Sequence, residues 1–189
     1  TVVVPKADAV RNEERALDVT QGKLVLGFRT GCTLTDAEFP ALLMMNAIYG
    51  GGITSKLFMK VREELSLCYY AMSTLEKFKG VMLVSSGIDC AQRDVAQAEI
   101  LRQLDAVRAG DISDYEFESA RRYLRSSLST GMDSPGRLDD FYIGQLIAGQ
   151  PDTMQALSER IARVTKDDVA AAARRVSLDT VFFLKGVQA

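Results

Sequence analysis

Arg62 and Tyr69 are the two side chains whose types and spacing could do chemistry together. A guanidinium and a phenol both donate hydrogen bonds. Arg62 falls near the end of one predicted helix. Tyr69 opens the next predicted strand after the short Ser66-Leu67-Cys68 connection, so both reach out beyond a sheet edge. By pattern alone, such a pair is structural more often than not. The glycine run Gly50-Gly51-Gly52, followed by Ile53-Thr54-Ser55-Lys56, superficially resembles a phosphate loop. That loop needs lysine directly after the last glycine and a hydroxyl after it, whereas here Ser55 precedes Lys56 and a helix leads in. The glycines are read instead as a tight link between two helices. Backbone N–H groups at the second helix start remain available to a carboxylate or a peptide carbonyl.

Other candidates carry less. Glu63 and Glu64 are adjacent, so on a helix they point about 100° apart and make no paired-carboxylate site. Arg121, Arg122 and Arg125 form a basic patch, with Glu116 and Glu118 just before it to pair internally. Met44-Met45 reads as core packing. The chain has no histidine. That excludes a Ser-His-Asp triad, a Cys-His pair and the helical zinc-peptidase motifs within this chain. Cys32, Cys68 and Cys90 are scattered and form no C-x-x-C, so no metal is expected here and a reduced cytoplasmic setting is.

The elements that must position these residues follow from periodicity. Gln21–Gly31 alternates as a half-buried strand, with Leu24, Leu26 and Phe28 on one face. Thr35 and Glu38 predict a capping box before FPALLMMNAIYGG, with Pro40 bending the helix start and removing one intrahelical bond. A helix over Ser55–Leu65 places Leu57, Val61 and Leu65 on one face. Tyr69–Phe78 and Val81–Ile88 are strands joined at Lys79-Gly80. Next comes a helix with Ile100, Leu104 and Val107, stopping at Gly110. A second begins at a Ser113/Glu116 box, with Phe117, Ala120, Leu124 and Leu128 as its stripe. Ser134-Pro135 opens a helix to Ala148. Helices over Gln155–Val164 and Lys166–Val176, the second with its start marked by Thr165 and Asp168, precede a closing strand, Asp179–Gly186. Strands in hairpins, a block of helices and one returning strand predict α+β: an antiparallel sheet with helices packed on one side.

The 189 residues carry 23 basic and 25 acidic side chains, a formal charge of −2. Near-neutrality argues against nucleic acid or an anionic membrane as partner, and no apolar run is long enough to span a bilayer. A chain of this length buries roughly 70% of its unfolded surface, enough for a core without disulfides or metal. It opens TVVVP without an initiator Met, as an excised or processed piece of a longer protein would. Residues 1–18 are read as a leading segment or linker and 19–189 as a single domain.

GGGITSKLFMKVREELSLCYY resembles the Gly-Gly-x-x-Ser-x-Leu-Phe-x-x-Val-Arg-Glu-x-x-x-Leu-x-Tyr stretch of the insulinase/pitrilysin zinc metallopeptidases, in their second, C-terminal domain. Supporting matches include FPALLMMNAIYGG, GDISDYEFESARRYL and VTKDDVAAAARRV, so the resemblance runs roughly from Val19 to Gly186. In that family two similar domains or subunits enclose a peptide. One bears the zinc motif, and the other supplies substrate contacts. The resemblance implies no catalytic residue and no metal in this chain, with zinc in the partner half. It also implies that Arg62, Tyr69 and the Gly50, Gly51, Gly52 segment face substrate. Its implied partners are the N-terminal homologous domain or a homologous subunit, and a peptide or protein substrate. An isolated half is expected to be inactive and prone to self-association. Ser66 and Cys68 stand where the family carries a glycine and a small residue. Such variants look like a bacterial branch whose members often lack the zinc motif, so a degenerate scaffold or partner-binding subunit is the alternative expectation.

Overall fold

A computed structural model describes residues 3–186; the ends of the two spans assigned from sequence, 1–2 and 187–189, lie outside the described residues. In chain order the strands are β1 (Arg11–Leu17), β2 (Gly22–Arg29), β3 (Tyr70–Glu76), β4 (Val81–Ile88) and β5 (Ser177–Gly186). The α-helices are α1 (Phe39–Tyr49), α2 (Arg93–Ala109), α3 (Asp114–Met132), α4 (Pro135–Ala148), α5 (Met154–Arg163) and α6 (Lys166–Arg175). The sheet order is β1-β5-β2-β4-β3, leaving β1 and β3 as the edges. All pairs are antiparallel except β1 with β5, which run parallel.

Alternation sends one set of strand side chains into the helix layer: Leu24, Leu26 and Phe28 from β2, Met82 and Val84 from β4, Val181 and Phe183 from β5. Helix α1 is buried almost all round, because α2, α3, α5, α6 and the strand β3 all pack against it. Met44 and Met45 are fully buried, and the Tyr49 hydroxyl reaches across the core to donate to the Ile100 carbonyl at 3.0 Å.

The described strand β1 falls within the segment read from sequence as a leader. Its residues, RNEERAL, are all exposed, so no hydrophobic alternation marks them. What holds them is the ladder to β5. The Thr35/Glu38 box does not form. Helix α1 starts later, at Phe39, and the local pairing is instead Thr33 with Asp36, whose Oδ2 accepts from the Thr33 amide at 2.6 Å and its hydroxyl at 2.9 Å. Pro40 then lies in the first turn, where an N–H has no intrahelical partner to lose. The Ser113/Glu116 and Thr165/Asp168 boxes form in full. Ser134 sits at the cap of α4, but its side chain makes no capping bond.

Candidate functional site

The segment between α1 and β3 is wound more widely than an α-helix. Leu57–Glu64 form a π-helix, closed by the Leu65 amide donating to the Lys60 carbonyl at 3.1 Å. Leu57 and Val61 face the core as expected, whereas Leu65, past the end of the winding, is 44% exposed. The chain then turns through Ser66 at φ 50°, the one non-glycine residue in the left-handed region among those described. A serine there costs on the order of 1 kcal/mol that a glycine would not. This explains in steric terms why glycine suits the position.

The turn brings Arg62 and Tyr69 together. Arg62 Nε donates to the Tyr69 carbonyl at 2.9 Å, its Nη1 pairs with Glu63 at 2.8 Å, and the guanidinium lies 4.7 Å from the Phe58 ring centre. Arg62 thus fixes the backbone from which Tyr69 projects, and Nη2 has no partner among the described residues. The Tyr69 amide donates to the Gly87 carbonyl at 2.7 Å, anchoring the start of β3. A Cβ on Gly87 would lie 2.5 Å from Cε1 of Tyr70, so that glycine lets the neighbouring ring cross the sheet. Tyr69 itself is 64% exposed, and its hydroxyl bonds nothing among the described residues.

The glycine run divides into two roles. The Gly50 carbonyl accepts from the Ser73 amide at 2.9 Å, tying the end of α1 to the edge strand β3. A Cβ at Gly50 would meet Leu57 Cδ1 and Ser73 Oγ at 2.7 Å, and one at Gly51 would lie 2.9 Å from the Ala47 Cα. Gly52 has open space around it. Gly50→Ala should therefore lower stability by about 1–3 kcal/mol. Gly52→Ala should change it by less than about 0.5 kcal/mol. Urea unfolding of both variants checks the contrast.

Gly52, Ile53 and Thr54 also line a 470 Å³ recess against Ser119, Arg122 and Tyr123 of α3. Sequence pattern did not associate these α3 residues with the loop, because the juxtaposition is tertiary. Lys56, directly after the loop, pairs with Glu116 at 2.9 Å. Both side chains are largely buried, so this ion pair pins the π-helix to the start of α3. Burial pushes the Glu116 carboxyl up, but hydrogen bonds from Ser113 and Lys56 outweigh it and hold the group below the usual carboxylate range.

The remaining candidates are structural. Glu64 pairs with Lys60 at 2.5 Å and Glu63 with Arg62. Arg121 pairs with Glu118 at 2.7 Å, stacks on Phe117 and donates to the Val164 carbonyl. Burial pushes the Cys32 and Cys68 thiols up to about 11, which keeps them protonated and unreactive at neutral pH. The side chains present do not fit zinc. The chain has no histidine, and no three Cys, Asp or Glu side chains among the described residues are grouped to hold a metal ion.

Comparison with known proteins identifies the family and the fold. A family model described as the peptidase M16 inactive domain matches residues 2–124. A Bacillus subtilis protein named "Probable inactive metalloprotease YmfF" is 38% identical over 171 residues, covering 90% of this chain and 40% of that protein. A Streptomyces coelicolor protein named an uncharacterized zinc protease is 33% identical over 178 residues, covering 89% and 38%. A conserved protein from Enterococcus faecalis superimposes with a TM-score of 0.92 at 32% identity, over 98% of this chain and 44% of that one. A peptidase M16 inactive domain from Pseudomonas fluorescens shares the fold at TM-score 0.75 and 17% identity, over 96% and 44%. The chain spans about two fifths of the length of the curated relatives it matches. By the family model matched over residues 2–124, the chain belongs to the peptidase M16 inactive-domain family.

Proposed function

We propose that this chain is the non-catalytic, substrate-facing half of a zinc peptidase, closing over a peptide against a zinc-bearing homologous domain or subunit. The observation that carries this reading is the Tyr69 hydroxyl, exposed and unpaired on a backbone that Arg62 and Gly87 hold in place. On that held backbone the phenol hydroxyl is a donor of the kind that stabilises a developing oxyanion. The Nη2 of Arg62 is a second donor on the same turn. The Gly50–Gly52 turn lets a peptide approach the main chain closely at Gly52, where no side chain intervenes. Metal chemistry belongs to the other half, since the residues of this one do not fit the ion. A bacterial, cytoplasmic setting accords with the bacterial relatives and three free thiols. Among the described residues no helix is long and apolar enough to cross a membrane.

A second reading, a protease-fold scaffold or partner-binding subunit without proteolysis, is favoured by two observations. The Bacillus relative is named a "Probable inactive metalloprotease", and Ser66 retains strain where glycine would relieve it. The two readings separate on the full-length protein joined to its other half. Cleavage of a mixed peptide library that stops on chelation and returns with zinc is the expected result. No cleavage by the zinc-loaded protein supports the scaffold instead.

A further inference from the structure

Helix α4 is apolar on both sides over its last two turns. On one side Phe141, Gly144, Gln145 and Ala148, spaced i, i+3, i+4 and i+7, turn toward the rest of the fold. Gly144 lets the helix settle on the end of the β3–β4 hairpin. A Cβ there would lie 2.9 Å from Lys77 Nζ and 3.5 Å from Phe78 Cζ. On the opposite side stand Tyr142, Ile143, Leu146 and Ile147, exposed by 47%, 56%, 81% and 70%. They occupy successive turns, so they form one continuous ridge rather than scattered surface residues. Asp139 and Asp140, both exposed, edge the ridge one turn earlier.

A helix that is apolar all round belongs in an interior. Among the described residues only one side of α4 is covered. The length of the relatives indicates what covers the other. The matches take in 90%, 89% and 98% of this chain but only 40%, 38% and 44% of the Bacillus, Streptomyces and Enterococcus proteins. More than half of each relative is therefore chain beyond this fold. A neighbour in the same protein meets the ridge at high effective concentration, an advantage that a second copy lacks. A lipid surface fits less well, because the ridge carries no lysine or arginine and its edge is acidic.

We propose that the Tyr142–Ile147 ridge is the surface on which the other half of the full-length protein docks, through an apolar face of its own. This rests on the two-half reading above but not on catalysis. The test compares the 189-residue chain with the full-length protein joined to its other half. Leu146→Cys places a thiol at the most exposed point of the ridge, and mass spectrometry separates its maleimide adduct from those of Cys32, Cys68 and Cys90. At micromolar concentration that thiol should react as a free cysteine in the 189-residue chain. In the full-length protein it should react at least about 30-fold more slowly. Leu146→Asp should leave thermal unfolding of the 189-residue chain unchanged and lower the full-length midpoint by about 4 °C or more. Equal labelling of the two proteins, or an unmoved full-length midpoint, would overturn the proposal. Slow labelling already in the 189-residue chain would also overturn it, by making a second copy the occupant. Shielding of the ridge in a full-length protein that cleaves no peptide would support the proposal while defeating the peptidase reading.

Discussion

Lys56→Met is expected to lower stability by about 3 kcal/mol, because it leaves Glu116 partly buried without its cation. The Lys56 side chain is 8% exposed and that of Glu116 is 19%, so water replaces the lost partner poorly. Ser113 still serves the carboxylate, which keeps the loss at the lower end for a broken buried pair. The sign with pH follows from the depressed Glu116 carboxyl. A carboxylate lowered below its unfolded value of 4.5 stabilises the fold above that pH, and the contribution is lost as pH falls through the folded value. The deficit of Lys56→Met should therefore be largest near neutrality and shrink as pH falls from 4.5 through the depressed folded value of the Glu116 carboxyl. Urea unfolding of parent and variant across that range measures both. A deficit independent of pH would mean that packing, not the ion pair, holds the loop against α3.

Most of the helical layer was legible in the sequence because its signals are local. The Ser113/Glu116 and Thr165/Asp168 boxes mark helix starts, Gly110 ends α2 in the left-handed conformation, and apolar stripes fix the buried faces. The features that were not legible depend on distant partners. β1 has no buried side chain, and only the β5 ladder makes it a strand. The π-helix has an ordinary helical sequence, and its widening shows only in the misplacement of Leu65. The start of α1 is displaced: Asp36 turns its carboxylate back to Thr33, and Glu38 stands at the helix cap with no side-chain capping bond.

The nearness of Arg62 and Tyr69 was legible in the sequence, but the wiring between them was not. Arg62 and Tyr69 stand together as their spacing suggested, yet the bond between them runs to the Tyr69 main chain rather than to its phenol. Gly50 and Gly51 are glycines for steric reasons that only tertiary packing reveals, and Gly52 is not. Glu116, grouped from sequence with the arginines of α3, turns instead to Lys56.

That wiring decides which substitution speaks most clearly about function. Arg62→Ala removes a possible substrate contact but also the bond that holds the Tyr69 carbonyl, so its effects mix. Tyr69→Phe removes one hydroxyl that touches nothing in the described structure, and folding should be unchanged. If that hydroxyl stabilises charge developing on the substrate, its loss should lower kcat about 100-fold and leave KM nearly constant. The decisive measurement is the turnover of a peptide substrate by the full-length zinc-loaded protein, parent against Tyr69→Phe, with unfolding curves recorded alongside. A fall of about 100-fold at unchanged stability is the predicted result, and equal turnover would contradict a substrate-facing role for this half.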